Sequence, residues 1–168
     1  MFAVRGFHGV SVDELGAACG ISGPALYRHF ASKEAMLNEM LVSISAELLE
    51  VARMRAVGRD PTDALDQLVR WHIEFALTNR ALIVVQDRDW DSLSEAGQRE
   101  VRRLQTAYIA LWVRQLRELA PETNAMAARA RVQAVFGLLN STPRSRRIPD
   151  NDMRALLHTM AWAALRAS

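Results

Sequence analysis

With 168 residues, 50% of them hydrophobic and 24% charged, the chain has the apolar material for one or two compact units with a substantial core, which excludes a wholly disordered chain. Its 21 Lys and Arg are nearly balanced by 19 Asp and Glu, so the formal net charge of +2 excludes binding of polyanions through bulk charge alone. Cys19 is the lone cysteine, which excludes an intrachain disulfide and a thiolate metal cluster; no signal peptide or membrane span is visible, so a cytoplasmic protein without membrane contact is expected.

The opening stretch F-A-V-R-G-F-H-G-V-S reads as the end of a helix and its turn, with Phe2 and Phe7 as core residues and Gly6 as the cap. Ser11 followed by Glu14 forms a capping box, so a helix begins at Val12. Leu15, Ala18 and Cys19 repeat at the spacing of one buried face, Gly20 ends the helix and Ile21 plugs the corner. On an apolar face, Cys19 is expected to be a small core residue. Ser22 is a second N-cap and Pro24 suits the first turn of the helix that follows, with Leu26 and Phe30 pointing to the core.

Two short helices joined by a tight turn have helix-turn-helix geometry, in which the second helix enters the DNA major groove. Small residues at its leading edge, Gly23 and Ala25, admit close approach. Ser11 and Ser22 stand at the helix N-termini, and Ser22 with the adjacent backbone N–H groups can hold a phosphate. Tyr27, Arg28 and His29 carry donors for phosphates or base edges, with Arg28 the best candidate for base readout. Lys33 is the only lysine and begins the next helix beside the expected DNA backbone, so a phosphate contact is expected of it. Basic and acidic residues cancel over Met1 to Glu34, where Arg5, Arg28 and Lys33 face Asp13, Glu14 and Glu34.

The run I-S-G-P-A-L-Y-R-H-F-A-S-K-E-A-M-L resembles the signature of the tetracycline-repressor (TetR) family of bacterial transcription regulators, in which a similar L-Y-x-H-F-x-x-K-e-x-L run ends the DNA-binding unit. The motif covers roughly the first quarter of the chain; the remainder agrees in helix order and length. The resemblance implies that Gly23, Pro24, Ala25, Tyr27 and His29 line the DNA face and that Lys33 contacts phosphate. Members of that family open with a further helix, of which only Met1 to Arg5 remains here. A start codon assigned too late or a shortened product is the expectation, with a degenerate member as the alternative and weak DNA binding as the consequence of either.

A long helix is predicted from Lys33 to about Val57, with Met36, Leu37, Met40, Leu41, Ile44, Leu48 and Val51 as its apolar stripe. Gly58-Arg59-Asp60-Pro61 breaks it, and Asp60 caps a helix from about Pro61 to Thr78 carrying Leu65, Leu68, Trp71, His72 and Phe75 inward. A short apolar run, Ala81 to Val85, precedes a polar loop from Asp87 to Gly97 that holds Trp90. Ser94 or Ser92 caps the next helix, about Glu95 to Leu119, with Val101, Leu104, Tyr108, Leu111 and Trp112 inward and Arg99, Arg102, Arg103 and Arg117 in solvent. As a group, Trp71, Phe75, Trp90, Tyr108 and Trp112 are candidates to line a small-molecule cavity, although each taken singly reads first as core; in the resembling family this region holds the inducer pocket.

The last two helices, about 123–140 and 150–166, flank a loop barred from helix by Pro143 and Pro149 and made basic by Arg144, Arg146 and Arg147, which read as solvated. Val132 to Leu139 is apolar nearly all round, Gly137 allows close helix approach, and Met153, Leu156, Leu157, Met160, Ala164 and Leu165 form another stripe. So much apolar surface predicts a homodimer through these two helices, against the plainer reading that they close the monomer's core. The histidines are scattered and no nucleophile or metal motif occurs, so neither an enzyme nor a cofactor is expected. Asp87, Asp89 and Asp91 lack the glycine and terminal glutamate of a cation loop and read as loop and cap acids, with a small metal or ligand role for Asp87 to Asp91 as the alternative.

The sequence therefore predicts an all-α protein: a helix-turn-helix DNA-binding domain over residues 1–37 and a helical ligand-binding and dimerisation domain over 38–168. The resemblance implies a repressor released from operator DNA by a small apolar or lipid-like effector. A dimeric small-molecule-binding module that has lost DNA binding is the alternative.

Overall fold

A computed structural model describes residues 1–145 and 148–167; Arg146 and Arg147, two of the three arginines of the basic loop, lie outside the described residues. Among those described, nine α-helices and one 3-10 turn occur and no strand. The helices are α1 (Phe2–Arg5), α2 (Val12–Ala18), α3 (Gly23–Tyr27), α4 (Lys33–Ala56), α5 (Pro61–Thr78), α6 (Arg80–Arg88), α7 (Glu95–Leu119), α8 (Ala125–Leu139) and α9 (Asp150–Leu165), with the 3-10 turn at Trp90–Ser92.

Side-chain caps set most of the starts. Both halves of the Ser11–Glu14 capping box are made. Ser22 accepts the Ala25 N–H at 3.3 Å, Ser32 that of Ala35 at 3.0 Å and Ser94 that of Gly97 at 3.0 Å. Asp60 accepts from Thr62 and Asp63 at 3.0 and 3.1 Å, with Pro61 in the first turn of α5. Each satisfies a backbone donor that the helix itself leaves orphaned, an effect of about 1 kcal/mol.

Two apolar clusters organise the chain. The larger joins the second half of α4 to α5, α7, α8 and α9, with Trp112, Leu65, Leu68 and Leu139 fully enclosed. At about 1.5–3 kcal/mol for each large side chain removed from water, this cluster dominates stability. The smaller unites Phe2, Phe7 and Val10 with Leu37 and Leu41 of α4, Val85 of α6 and Val101 of α7. The N-terminal unit thus shares its core with the helices beneath it. Polar staples fasten α9 to α5: Asp66 meets His158 at 2.7 Å and accepts from Trp162 Nε1 at 3.2 Å, and Glu74 pairs with Arg154 at 2.9 Å.

Several expectations are corrected. Ala18, Cys19 and Ile21 are exposed, because α2 ends at Ala18 and the Cys19 N–H folds back onto Leu15 and Gly16, turning the last residues to solvent. The packed face of α2 is Val12 and Gly16, with Leu15 half-buried; a Cβ at Gly16 would strike the backbone of Ile21 and Gly23. In α4 the buried line is Leu37, Leu41, Ser45, Leu49, Ala52 and Ala56, flanked by half-buried Met36, Met40, Ile44, Leu48 and Val51. The stretch from Asp87 to Gly97 is structured for much of its length: α6 runs through Arg88, Asp89 is buried, and the 3-10 turn precedes Ser94. On the outside of α8 and α9, Leu156 and Met160 are exposed and Gly137 faces open space. No helix is long and apolar enough to cross a membrane among the described residues.

Candidate functional site

The outer surface of α3 and the residues after it presents Ser22, Pro24, Tyr27, Arg28 and His29 to solvent, with Ala25 half-buried. Tyr27 is 54% exposed, and the Arg28 guanidinium makes no ion pair or hydrogen bond among the described residues. This is a surface of donors on a short helix whose start is fixed by a cap. Three other candidates are engaged elsewhere. Gly23 is buried against α2, where an added Cβ would collide with the Asp13 carboxylate, so the small residue serves the approach of α3 to α2. Ser11 is occupied by the capping box with Glu14, whose carboxyl is pulled down to about 2 by the Arg5 guanidinium and by the Ser11 backbone and hydroxyl.

Lys33 is the third, and it has a role within the protein that its sequence position did not announce. Its ammonium donates to the carbonyls of Phe7 at 2.9 Å and Val10 at 2.8 Å, and lies 4.5 Å from the centre of the Phe7 ring. Two of its three donors are therefore spent inside the protein. The side chain read as a phosphate contact is first a staple that ties the start of α4 to the turn before α2.

A second staple comes from the end of α6. Arg88 donates to the carbonyl oxygens of Phe2 and Ala3, capping the exposed end of α1, and pairs with Asp89. Asp89, 6% exposed, also accepts the Phe7 N–H at 3.2 Å. Burial raises the Asp89 pKa, but the hydrogen bonds from Arg88 and Phe7 outweigh it and leave the carboxyl below its ordinary value. Sequence reasoning placed Asp89 among loop acids; Arg88 is its neighbour in the chain, but Phe7 is 82 residues away, so no local signal announced the tie to the N-terminal turn.

Behind these staples, α4 to α8 enclose a cavity of about 220 Å³. Ile44, Ser45 and Leu48 contribute from α4, Phe75 from α5, Leu82 and Ile83 from α6, Leu104 and Ile109 from α7, and Phe136 from α8. One polar group of three is set into this wall. His72 Nδ1 lies 3.0 Å from the Tyr108 hydroxyl and Nε2 lies 3.1 Å from Asn140 Oδ1, while the imidazole stacks on Phe136 at 4.7 Å with 4° between planes. The amide oxygen at Nε2 requires a proton there, making Nδ1 the acceptor of the tyrosine O–H. Burial pushes the His72 pKa down to about 4 against the opposing Asn140 hydrogen bond, and pushes that of Tyr108 up. Gln86, Asp87 and Gln105 line both this cavity and an adjoining surface groove, so they form its mouth.

Of the five aromatics expected to line a cavity, Phe75 and Tyr108 do so; Trp71, Trp90 and Trp112 do not. Trp71 turns toward α4, donating to the Leu48 carbonyl at 3.2 Å beneath Arg55. Trp90 lies in the outer groove under the Arg102 guanidinium, 5.1 Å away. Trp112 is wholly enclosed, edge-on to Phe136 at 5.0 Å, and supports the wall from behind. Sequence reasoning missed Phe136 and Asn140 as lining residues. Among the described residues, no group of three or more His, Cys, Asp or Glu could hold a metal ion.

Residues 1–40 match the family model described as bacterial regulatory proteins, tetR family, and residues 58–144 match that described as tetracyclin repressor-like, C-terminal domain. The chain belongs to the TetR family. One TetR-type relative, the transcriptional repressor KstR2 of Rhodococcus jostii (strain RHA1), is 30% identical over 115 residues, 67% of this chain; the match spans only 56% of KstR2. A TetR-family regulator from Bordetella parapertussis 12822 superposes with a TM-score of 0.86 at 28% identity, over 99% of this chain and 89% of that one. The TetR fold also aligns with AibR, whose structure is a complex with isovaleryl coenzyme A and operator DNA, with a TM-score of 0.77 at 15% identity over 95% of this chain and 90% of AibR.

Proposed function

We propose that this TetR-family protein is a dimeric transcriptional repressor that leaves its operator when a small molecule enters the α4–α8 cavity. The observation that carries the reading is shared ownership of two helices. α4 contributes Ile44 and Leu48 to the cavity wall and, at its other end, Lys33 to the carbonyls of Phe7 and Val10. α6 contributes Leu82 and Ile83 to the same wall and ends on the Arg88–Asp89 pair that holds Phe2, Ala3 and Phe7. Any ligand that shifts either helix moves the α2–α3 unit as a body.

Operator binding in the cytoplasm would use two copies of that unit. Exposed Leu156 and Met160 on α9, with open space over Gly137 on α8, support pairing through these helices. Two recognition helices must stand about 34–36 Å apart to enter successive major grooves, so a small rotation of one unit breaks simultaneous docking. A ligand that prefers the displaced state by about 1–3 kcal/mol lowers DNA affinity several-fold to over a hundredfold. The exposed Tyr27, Arg28 and His29 favour this reading over a binding module without a DNA role.

The test fills the cavity without a ligand. Ile109→Trp places a larger ring in the wall, and binding to DNA from the region upstream of the reading frame is measured by anisotropy for this variant and the unaltered protein. Weakened binding by a variant that remains a folded dimer supports the reading; unaltered binding defeats it. Leu156→Glu with Met160→Glu is expected to yield monomers in sedimentation, and a dimer surviving both would move the interface elsewhere.

A further inference from the structure

We infer that the group enclosed by the α4–α8 cavity is uncharged: a short apolar body bearing a carbonyl, amide or hydroxyl, and not a carboxylate or other anion. The inference rests on the proposed role of this cavity and concerns what it accepts.

Volume sets the first limit. At about 220 Å³ the cavity lies below the ~300–1,000 Å³ range of pockets for drug-sized ligands. Charge sets the second. No lysine or arginine lines the cavity, and its single acid, Asp87, stands in solvent at the mouth, 3.6 Å from Arg144. An enclosed carboxylate would lose its water and find no cation, a penalty that falls on the binding of anions and spares neutral isosteres.

Hydrogen-bond supply sets the third. Buried Tyr108 and His72 and half-buried Asn140 are committed to one another in a line, Tyr108 O–H to His72 Nδ1 and His72 Nε2–H to Asn140 Oδ1, while the buried Ser45 hydroxyl spends its proton on the Leu41 carbonyl at 2.6 Å. That line consumes the donors of Tyr108 and His72. It leaves a lone pair on the Tyr108 oxygen and the Asn140 NH₂, which makes no hydrogen bond among the described residues. Gln86 and Gln105 add an amide donor and acceptor each toward the mouth. One acceptor beside one donor suits a primary amide, an alcohol or a carbonyl; a carboxylate brings only acceptors. His72 could serve an anion only by taking up a proton, and burial holds it neutral at physiological pH. Two sources offer the same neutral chemistry: a free small molecule, or the acyl part of a thioester whose charged portion stays outside the mouth.

Calorimetry on the intact protein at pH 7.5 with hexanamide, hexanoate, hexanoyl-coenzyme A and coenzyme A separates these. Hexanamide is expected to bind at least tenfold more tightly than hexanoate. If hexanoyl-coenzyme A binds more tightly still while coenzyme A alone does not bind, the source is a thioester; if the thioester is rejected and the amide binds, the source is a free molecule, and either result supports the inference. Hexanoate binding as tightly as hexanamide overturns it, as does binding of none of the four. Gln105→Arg places a cation in the cavity lining itself, where Arg144 and Arg102 outside the mouth do not reach, and is expected to raise hexanoate affinity at least tenfold; no gain in that variant also counts against the inference. Failure of these measurements leaves the role of the cavity in DNA release standing, since that rests on the Ile109→Trp measurement; hexanamide binding that persists unchanged in Ile109→Trp would instead displace the site itself.

Discussion

The N-terminal unit and the helical body are held by different proportions of apolar packing and polar contact. The body is closed by apolar contact among long helices, with Leu65, Leu68 and Trp112 at 0% exposure. The unit of α1 to α3 has shorter helices and a smaller apolar seam, Phe2, Phe7 and Val10 on Leu37, Leu41, Val85 and Val101, to which Lys33, Arg88 and Asp89 add hydrogen bonds with backbone groups of Phe2, Ala3, Phe7 and Val10. Apolar packing is non-directional and resists displacement over its whole area, whereas a few hydrogen bonds to carbonyls are satisfied in one geometry and lost together. The smaller, partly polar hold on the N-terminal unit is the one expected to open first.

The largest effect that would break this contrast lies in the body. Leu68→Ala removes a fully enclosed side chain from the main cluster and is expected to lower global stability by about 2–5 kcal/mol, read from the urea midpoint at unchanged slope. A loss below 1 kcal/mol would mean that the body is not stabilised chiefly by this core.

A second measurement uses pH. His72 in the folded protein has a pKa of about 4 against an ordinary 6.5, so between these values the unfolded chain binds the proton that the folded chain refuses. Stability from this residue is complete above 6.5 and is lost as pH falls toward 4, by about 3 kcal/mol in all at ~1.4 kcal/mol per pH unit. Asp66, Glu74 and Asp89 sit below ordinary carboxyl values, which makes their stabilisation fade only at lower pH. The slope of unfolding free energy between pH 6.5 and 5 therefore reports His72, and His72→Gln is expected to flatten most of it. An unchanged slope in that variant would place the titration elsewhere.

What the sequence made legible follows the same division. Caps are local, so Ser11, Ser22, Asp60 and Ser94 announced four helix starts, and periodicity gave the inward residues of α7 correctly. The cavity was illegible because it is made where five helices meet. Trp71 and Phe75 lie one turn apart on α5, yet the first leans on the Leu48 carbonyl of α4 and the second faces the void, a distinction set by helix rotation that no spacing encodes. His72 gave the one available hint, a polar residue on an otherwise apolar face, but its partners Tyr108 and Asn140 come from other parts of the chain. The staple role of Lys33 was illegible for the same reason: the carbonyls of Phe7 and Val10 that take two of its donors lie more than twenty residues away in the chain.

Asp89→Asn sharpens the contrast from the other side. It removes the charge that pairs with Arg88 while keeping an acceptor for the Phe7 N–H. Local opening of residues 1–10 is expected to become easier by about 1–3 kcal/mol, seen as faster amide exchange there, with protection across α5 and α7 unaltered. Equal loss of protection in both regions would show that the unit and the body unfold as one.

The smallest expected effect decides whether Lys33 belongs to the body or to the DNA. A phosphate contact releases a counterion, so its loss shallows the dependence of log affinity on log salt by about 0.9. Lys33→Met deletes the ammonium but keeps the length of the stem that lies along Phe7. If the side chain acts as a staple, DNA affinity falls because the turn before α2 loosens, and it falls by the same factor at every salt concentration. If the remaining N–H reaches a phosphate, the slope itself drops by nearly one while amide exchange at Phe7 and Val10 stays as it was. The two carbonyl contacts, at 2.9 and 2.8 Å, favour parallel salt curves with a lower intercept. A changed slope would return Lys33 to the interface and leave Arg88 and Asp89 as the polar hold on the N-terminal unit.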